Sequence, residues 1–384
     1  MTGIDLHDVM RRALKLLAES TTDLADAERH EPAASYTSQE RFEAERKLLL
    51  DSPHLVGYAG ELPPGGSFVT KEVMGRPLLL TRAKDGRVRA FHNICQHRQA
   101  PVAAGCGVAR RLACPYHSWT YDLEGHVVGI PGSEGFTETG PQAPRLTELP
   151  AAEFAGFLWV GLDPEGELDV AAHLGELAAE LAAWDIGSWA PVGEKRLDAD
   201  IDWKLALDTF AENYHFASVH TTTFAKIAHS NRTVFDSFGR HHRLVFPLRT
   251  IEACAHQPES DWVPMDNIVV IYGLFPNIVL SVTSANGEIF RIYPGDGPGR
   301  STTFHQNAST WDVSDEGMRK AAEDVFDYAH HTVRDEDYVL ASAVQANLAN
   351  GLQPTVLFGR NEPGLQHRHS ALADALAQKG RMPT

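Results

Sequence analysis

The 384-residue sequence has only four cysteines: Cys95, Cys106, Cys114 and Cys254. A chain of this size with so few does not depend on a disulfide framework. It also lacks any run of about 18 apolar residues, so no membrane-spanning helix is expected. Positive charge is scarce: 34 Lys and Arg against 51 Asp and Glu leave a formal charge of −17. That surplus of acid argues against nucleic acid or an anionic membrane as partner, and is compatible with a basic redox protein or a cationic substrate. The first twenty residues alternate charged and apolar positions, without an apolar signal core or a small-residue cleavage pattern, and the expected location is the cytoplasm. Repeats and low-complexity tracts are absent, as are nicotinamide and flavin motifs.

What is present is an ordinary globular composition, 43% hydrophobic and 22% charged, in a length that suits two domains. Residues 1–52 read as a helical segment, with a Pro/Ala/Ser-rich loop over Glu31–Ser38. Residues 53–165 change texture. Short β-like runs at Ser67–Val73, Arg76–Arg82 and Val88–Asn93 are punctuated by Pro63-Pro64-Gly65-Gly66, Asp85-Gly86 and Glu124-Gly125, and Phe157–Gly161 closes the series. Residues 166–384 form a third region. It opens with helical character to about residue 187, followed by an amphipathic helix candidate from Trp203 to Val219. Strands are predicted at Arg243–Pro247, Asn267–Phe275, Ile278–Thr283 and Glu288–Tyr293. A long helix from about Ser314 to Ala349 ends at Gly351. Strands followed by one long helix predict an α+β domain, an antiparallel sheet wrapped on a helix.

Three of the cysteines fall within twenty residues, interleaved with histidines. Cys95-Gln96-His97 is followed after sixteen residues by Cys114-Pro115-Tyr116-His117. Each pair offers one thiolate and one imidazole. Two thiolates suit one iron of a 2Fe–2S cluster and two imidazoles the other, an arrangement that raises the reduction potential. A structural Cys2His2 zinc site is the alternative, but such sites usually pair like ligands. Trp119 and Tyr121 are bulky residues suited to packing beneath a cluster. Cys106 and Cys254 are expected as buried thiols.

With "ICQHRQAP" and "CPYHSWTYDLEG" around it, this pattern resembles the Rieske domain of ring-hydroxylating oxygenase alpha subunits, and the likeness extends from about residue 50 onward. The resemblance implies an all-β Rieske domain followed by a helix-grip (START-like) catalytic domain. Many relatives carry Gly where Gln99 stands, a departure that touches loop packing rather than ligation.

A cluster alone only carries electrons. An oxygenase needs a second iron with open positions, usually held by two histidines and one carboxylate. His215 and His220 are five residues apart, roughly 140° apart on an ideal helix, so they converge only if the helix ends or distorts there. "LDTFAENYHFASVH" resembles the family's mononuclear iron motif. By that resemblance His215 and His220 are iron ligands. Glu212 relays electrons from His117 of a neighbouring subunit to His215. Asp208, upstream in the same segment, is a further catalytic candidate. The family's Glu-Asp before Val-Gln falls on Glu336-Asp337 before Val344-Gln345. Asp337 is therefore the expected third ligand and Asp335 the alternative. Tyr272, Phe275, Phe290, Phe210 and Phe224 are candidate pocket walls. His229, His241-His242 and His330-His331 read as ordinary surface or core histidines.

The implied enzyme is a mono- or dioxygenase that takes electrons from an NAD(P)H-dependent reductase, with or without a ferredoxin, and works as a homotrimer, with a beta subunit left open. It would hydroxylate or dihydroxylate an aromatic or other apolar molecule. Glu at position 212, in place of the Asp of many ring dioxygenases, keeps open a demethylase or monooxygenase acting on a quaternary ammonium or N-methyl substrate. The rivals are a Rieske electron carrier without catalysis and a zinc-stabilised ligand-binding protein.

Overall fold

A computed structural model describes residues 3–136 and 144–379. The chain forms two compact units. One comprises residues 50–173 with 185–188, and the other residues 1–49, 174–184 and 189–384. The N-terminal residues 1–49 thus group with the larger unit. No helix among the described residues is long and apolar enough to cross a membrane.

The smaller unit is built of antiparallel strands. The predicted Ser67–Val73 and Arg76–Arg82 pair as a hairpin inside a five-stranded sheet. Burial along Ser67–Val73 alternates strictly, the two-residue period of a strand with one face in the core. Phe157–Val160 pairs between Ala151–Phe154 and His54–Tyr58 in a second sheet. The third, with strands Leu112–Ala113, Thr120–Tyr121 and Val127–Gly129, carries the second cysteine–histidine pair on its first turn. Gly125 has φ +88°, and a Cβ there would lie 2.5 Å from Phe91, so only glycine fits the turn. Cys106 departs from expectation. It lies exposed on Cys106–Val108, an edge strand with every residue open to solvent, whereas Cys254 is buried.

The larger unit is a seven-stranded antiparallel sheet in the order Ala190–Ala199, Ser301–Ser309, Asn286–Pro294, Ile278–Val282, Ile268–Leu274, His241–Pro247, Val234–Phe238. The helix Glu316–Thr332 packs on the first two of these strands. Three strands were not expected from the sequence: Ala190–Ala199, Val234–Phe238 and Ser301–Ser309. The first is charged and the last is rich in Ser, Thr and Asn, so neither shows an apolar alternation. Another unexpected strand, Arg29–Pro32, pairs with Thr355–Phe358 inside the supposed N-terminal helical segment. Two helices also differ from expectation. Trp203–Val219 is not continuous: helix covers Trp203–Asp208 and Phe216–Val219, with turns between. The long C-terminal helix runs as α-helix over Glu316–Thr332 and Tyr338–Ala349, with a π turn at Val333–Asp337 between. Gly351, at φ +65°, ends it as predicted.

Candidate metal centres

The two cysteine–histidine loops of the smaller unit fold alike. The Cys95 N–H donates to Ala100 O and its carbonyl accepts from Gln99 N; the Cys114 N–H donates to Trp119 O and its carbonyl accepts from Ser118 N. Gln99 and Ser118, each four residues past its cysteine, both adopt the left-handed conformation, at φ 61° and 59°. That geometry is the physical reason a glycine suits position 99. Both cysteines are buried, and the His97 and His117 rings lie 4.5 Å apart, centroid to centroid. His97 stacks on Trp119 at 5.1 Å.

Nδ1 of His97 and Nδ1 of His117 are each buried without a hydrogen-bond partner. Buried imidazole nitrogens left so are costly unless something else binds them. Burial, then the neighbouring His97 and Arg98, hold His117 below its ordinary pKa, in the neutral form that ligates metal. The four side chains do not converge on a single ion. Among the described residues, the one group of three ligand atoms within 4.8 Å of one another lies elsewhere. Four ligands on one zinc would stand within about 4 Å of each other, so the wider set fits a two-iron cluster. Tyr121 Oη stands 3.2 Å from Cys95 Sγ and accepts from the Gln96 N–H at 3.0 Å. Burial pushes the Cys95 thiol up, but hydrogen bonds from Tyr121 and the loop outweigh it and lower its pKa, favouring the thiolate.

The single-ion group belongs to the larger unit: His215, His220 and Asp337. His215 and His220 stand at the two ends of the one-turn helix Phe216–Val219. The helix stops at His220 (φ −91°, ψ 38°), which overcomes the divergence that five helical residues would impose. Their Nε2 atoms are 3.2 Å apart, and Asp337 Oδ1 lies 3.4 Å from that of His215 and 3.2 Å from that of His220. Ligands about 2.1 Å from one ion and at right angles stand ~3.0 Å apart, so these atoms frame one face of a metal.

Each histidine gives its other nitrogen to a carboxylate. His215 Nδ1 meets Glu212, and His220 Nδ1 meets Glu336 Oε2 at 2.6 Å, itself held by Thr223 Oγ1 at 2.7 Å. This is the carboxylate–histidine arrangement that fixes metal-binding imidazoles. Burial disfavours a charged His215, yet its bonds to Asp337 and Glu212 prevail and push its pKa up to about 10. Burial likewise opposes ionisation of Asp337, and the two histidines overcome it, lowering its pKa. Three carboxylates around two imidazoles therefore call for positive charge, which a divalent ion supplies.

The π turn places Glu336 and Asp337, adjacent in sequence, on the same two histidines. Such turns add a residue to a helix and often mark functional sites. Asp335 does not take part: it is exposed and paired with Arg334 at 2.6 Å. Asp208 is not at the metal triangle either. Buried, it is bound to Tyr36 Oη (2.7 Å) and His369 Nε2 (3.0 Å), beside Arg368. Glu336 and Thr223 were missed by sequence reasoning; Glu336 was seen only as an alignment mark for its neighbour.

A cavity of about 260 Å³ opens onto the triangle, with Glu212, His220 and Asp337 in its wall. Phe210, Phe224 and Phe290 line it as expected, together with Phe216, Phe246 and Tyr328. Tyr272 and Phe275 do not. Strand parity turns Val269 and Ile271 inward and Tyr272 to the other face, where its hydroxyl donates to Glu180 at 2.6 Å. Phe275 lines a separate cavity.

Residues 186–378 match the family described as ring hydroxylating alpha subunit (catalytic domain), and residues 52–145 match the Rieske [2Fe-2S] domain. The carnitine monooxygenase oxygenase subunit of Escherichia coli (strain K12) is 25% identical over 363 residues, 89% of this chain and 92% of its own. A solved quaternary ammonium Rieske monooxygenase, described in terms of carnitine oxidation and inter-subunit electron transfer, superposes with a TM-score of 0.75. It is 22% identical, over 94% of this chain and 96% of its own. Naphthalene 1,2-dioxygenase from Rhodococcus sp., bound to indole, superposes at 0.71 with 16% identity over the full length of both chains.

Proposed function

The chain belongs to the ring-hydroxylating alpha-subunit family of Rieske oxygenases, and from that membership we propose that it is a monooxygenase of a small organic cation, fed by a separate reductase. It is an oxidoreductase with a Rieske 2Fe–2S centre and a mononuclear iron. In the proposed assignment Cys95, His97, Cys114 and His117 hold the cluster in a domain spanning 53–165. His215, His220 and Asp337 hold the iron in a domain spanning 166–384, to which residues 1–52 attach. When bound, the iron offers open positions for O2 beside the substrate, and the cluster delivers electrons one at a time.

The protein's own part is to hold and to exclude. Glu212 and Glu336 fix the two imidazoles by their Nδ1 atoms. The aromatic walls keep water from the reacting carbon. The overall balance is C–H plus O2, two electrons and two protons, giving C–OH and water, with NAD(P)H as the electron source. Glu212 also lines a second cavity on the side of Leu340, Val344 and Leu357, where all three are exposed apolar groups. That face suits docking of a neighbouring copy's cluster domain, whose His117 would pass electrons through Glu212 to His215. Such head-to-tail contact closes as a ring, for which a trimer is the proposal.

The observation that carries this reading is the Glu212–His215–Asp337–His220 constellation beside an aromatic cavity. Aromatic rings stabilise an ammonium group, and the relatives' quaternary ammonium substrates point the same way. Glu212→Gln, with both metal centres loaded, should lose single-turnover product formation by on the order of 100-fold or more. Wild-type electron transfer in that variant would refute the relay. Substrate-dependent O2 uptake confined to uncharged aromatics would refute the cation.

A further inference from the structure

Three carboxylates reach the cavity wall: Glu212, Asp337 and Glu288. The first two are committed to the histidines of the metal triangle. Glu288 is not. It lies on the strand Asn286–Pro294, between Ser281 and Asn307 on the adjacent strands, with a side chain only 12% exposed. One oxygen, Oε1, accepts from Asn307 Nδ2 at 3.3 Å, and the nearest cationic candidate is His305 Nε2 at 3.6 Å, past hydrogen-bond reach. No described side chain donates to its other oxygen. The cavity wall is largely apolar and aromatic, with Ser281, Thr283 and Asn286 near Glu288, and no Lys or Arg lines the cavity among the described residues.

A carboxylate held in such a wall, with His305 at 3.6 Å as its nearest basic neighbour and no Lys or Arg beside it, is costly unless a cation comes to it. Apart from His220, which is committed to the metal triangle, the same wall has among the described residues no basic group to receive an anionic end. We propose that Glu288 is a specificity-determining residue that receives the ammonium of the substrate, and that the substrate is an ammonium compound with an apolar body and no carboxylate. This rests on the cation reading above, but departs from the zwitterionic carnitine that names the relatives: a substrate carboxylate would meet the Glu288 carboxylate in the wall, with no Lys or Arg there to receive it. The small volume, about 260 Å³, below the usual range of roughly 300–1,000 Å³ for ligand pockets, limits the apolar body to a short chain or a single ring.

The test uses the iron-loaded oxygenase and three ligands: propyltrimethylammonium, its uncharged isostere 2,2-dimethylpentane, and its carboxylated counterpart γ-butyrobetaine. Binding is read by calorimetry and by perturbation of the iron-site spectrum. The wild-type protein should prefer propyltrimethylammonium over each of the other two by roughly 10- to 100-fold. Glu288→Gln should lose most of that preference over the hydrocarbon, while hydrocarbon binding stays within about threefold. Glu288→Asp should keep part of it, as a merely structural role would not require. Equal or tighter binding of γ-butyrobetaine by the wild-type protein overturns the proposal even if the variants fail to fold. Cation binding unchanged in a folded Glu288→Gln overturns the role of Glu288 and leaves the cation reading standing. Failure of both ammonium compounds to bind, with the hydrocarbon bound, overturns both.

Discussion

The Tyr121 hydroxyl lies 3.2 Å from Cys95 Sγ, the sulfur proposed as a cluster ligand, and by donating to it would stabilise the electron-rich, reduced form. Tyr121→Phe removes this bond and leaves the ring in place. Its reduction potential should fall by some tens of millivolts, the scale of about 1 kcal/mol carried by one electron, read by redox titration of the cluster's colour. The residues legible in the sequence are those whose chemistry allows no substitute. Thiolate and imidazole at fixed spacing marked Cys95, His97, Cys114 and His117, and the resemblance marked His215, His220 and Asp337. Residues whose role depends on what folds against them were not legible. Glu336 and Glu288 are single acids with no local pattern. Asp208, a candidate on position alone, is drawn into a buried cluster with Tyr36, Arg368 and His369. Cys106 was taken for a core thiol because an edge strand cannot be told from a central one over three residues.

At the scale of the element, strands with a clean apolar run were found to within a residue or two, as at Ser67–Val73 and Ile278–Val282. Polar strands such as Ser301–Ser309 were lost, although all but one of its residues are buried. Helical spacing likewise could not foretell the π turn at Val333–Asp337, because one inserted residue leaves the composition unchanged. The strand Arg29–Pro32 carries its own test. Burial raises the pKa of Glu31, but His369, with Nδ1 3.6 Å away, and hydrogen bonds from Ser35 and Arg29 prevail and bring it to about 2, below its ordinary 4.5. The ionised group therefore contributes stability above about pH 4.5, and that contribution is lost as pH falls through about 2. Glu31→Gln should cost about 2–3 kcal/mol at neutral pH and flatten the acid limb of the stability curve between those values, measured by denaturant titration. An unchanged acid limb would assign the acid sensitivity to other groups.

For the whole molecule, the fold class was readable because a cysteine–histidine β region and a strand-then-helix region differ in texture. What was not readable is that residues 1–49 group with the larger unit, since a strand pairing Arg29–Pro32 with Thr355–Phe358 spans more than three hundred residues. The central claim is that one chain carries two iron centres of different kinds, with Asp337 closing the second. Iron and acid-labile sulfide analysis of the purified protein tests it most directly. The wild-type chain should hold about three irons and about two sulfides. Asp337→Asn should drop to about two irons, keep its sulfide and its brown colour, and lose substrate oxidation, whereas Asp335→Asn should keep all three. An Asp337→Asn protein that still held about three irons would contradict the account.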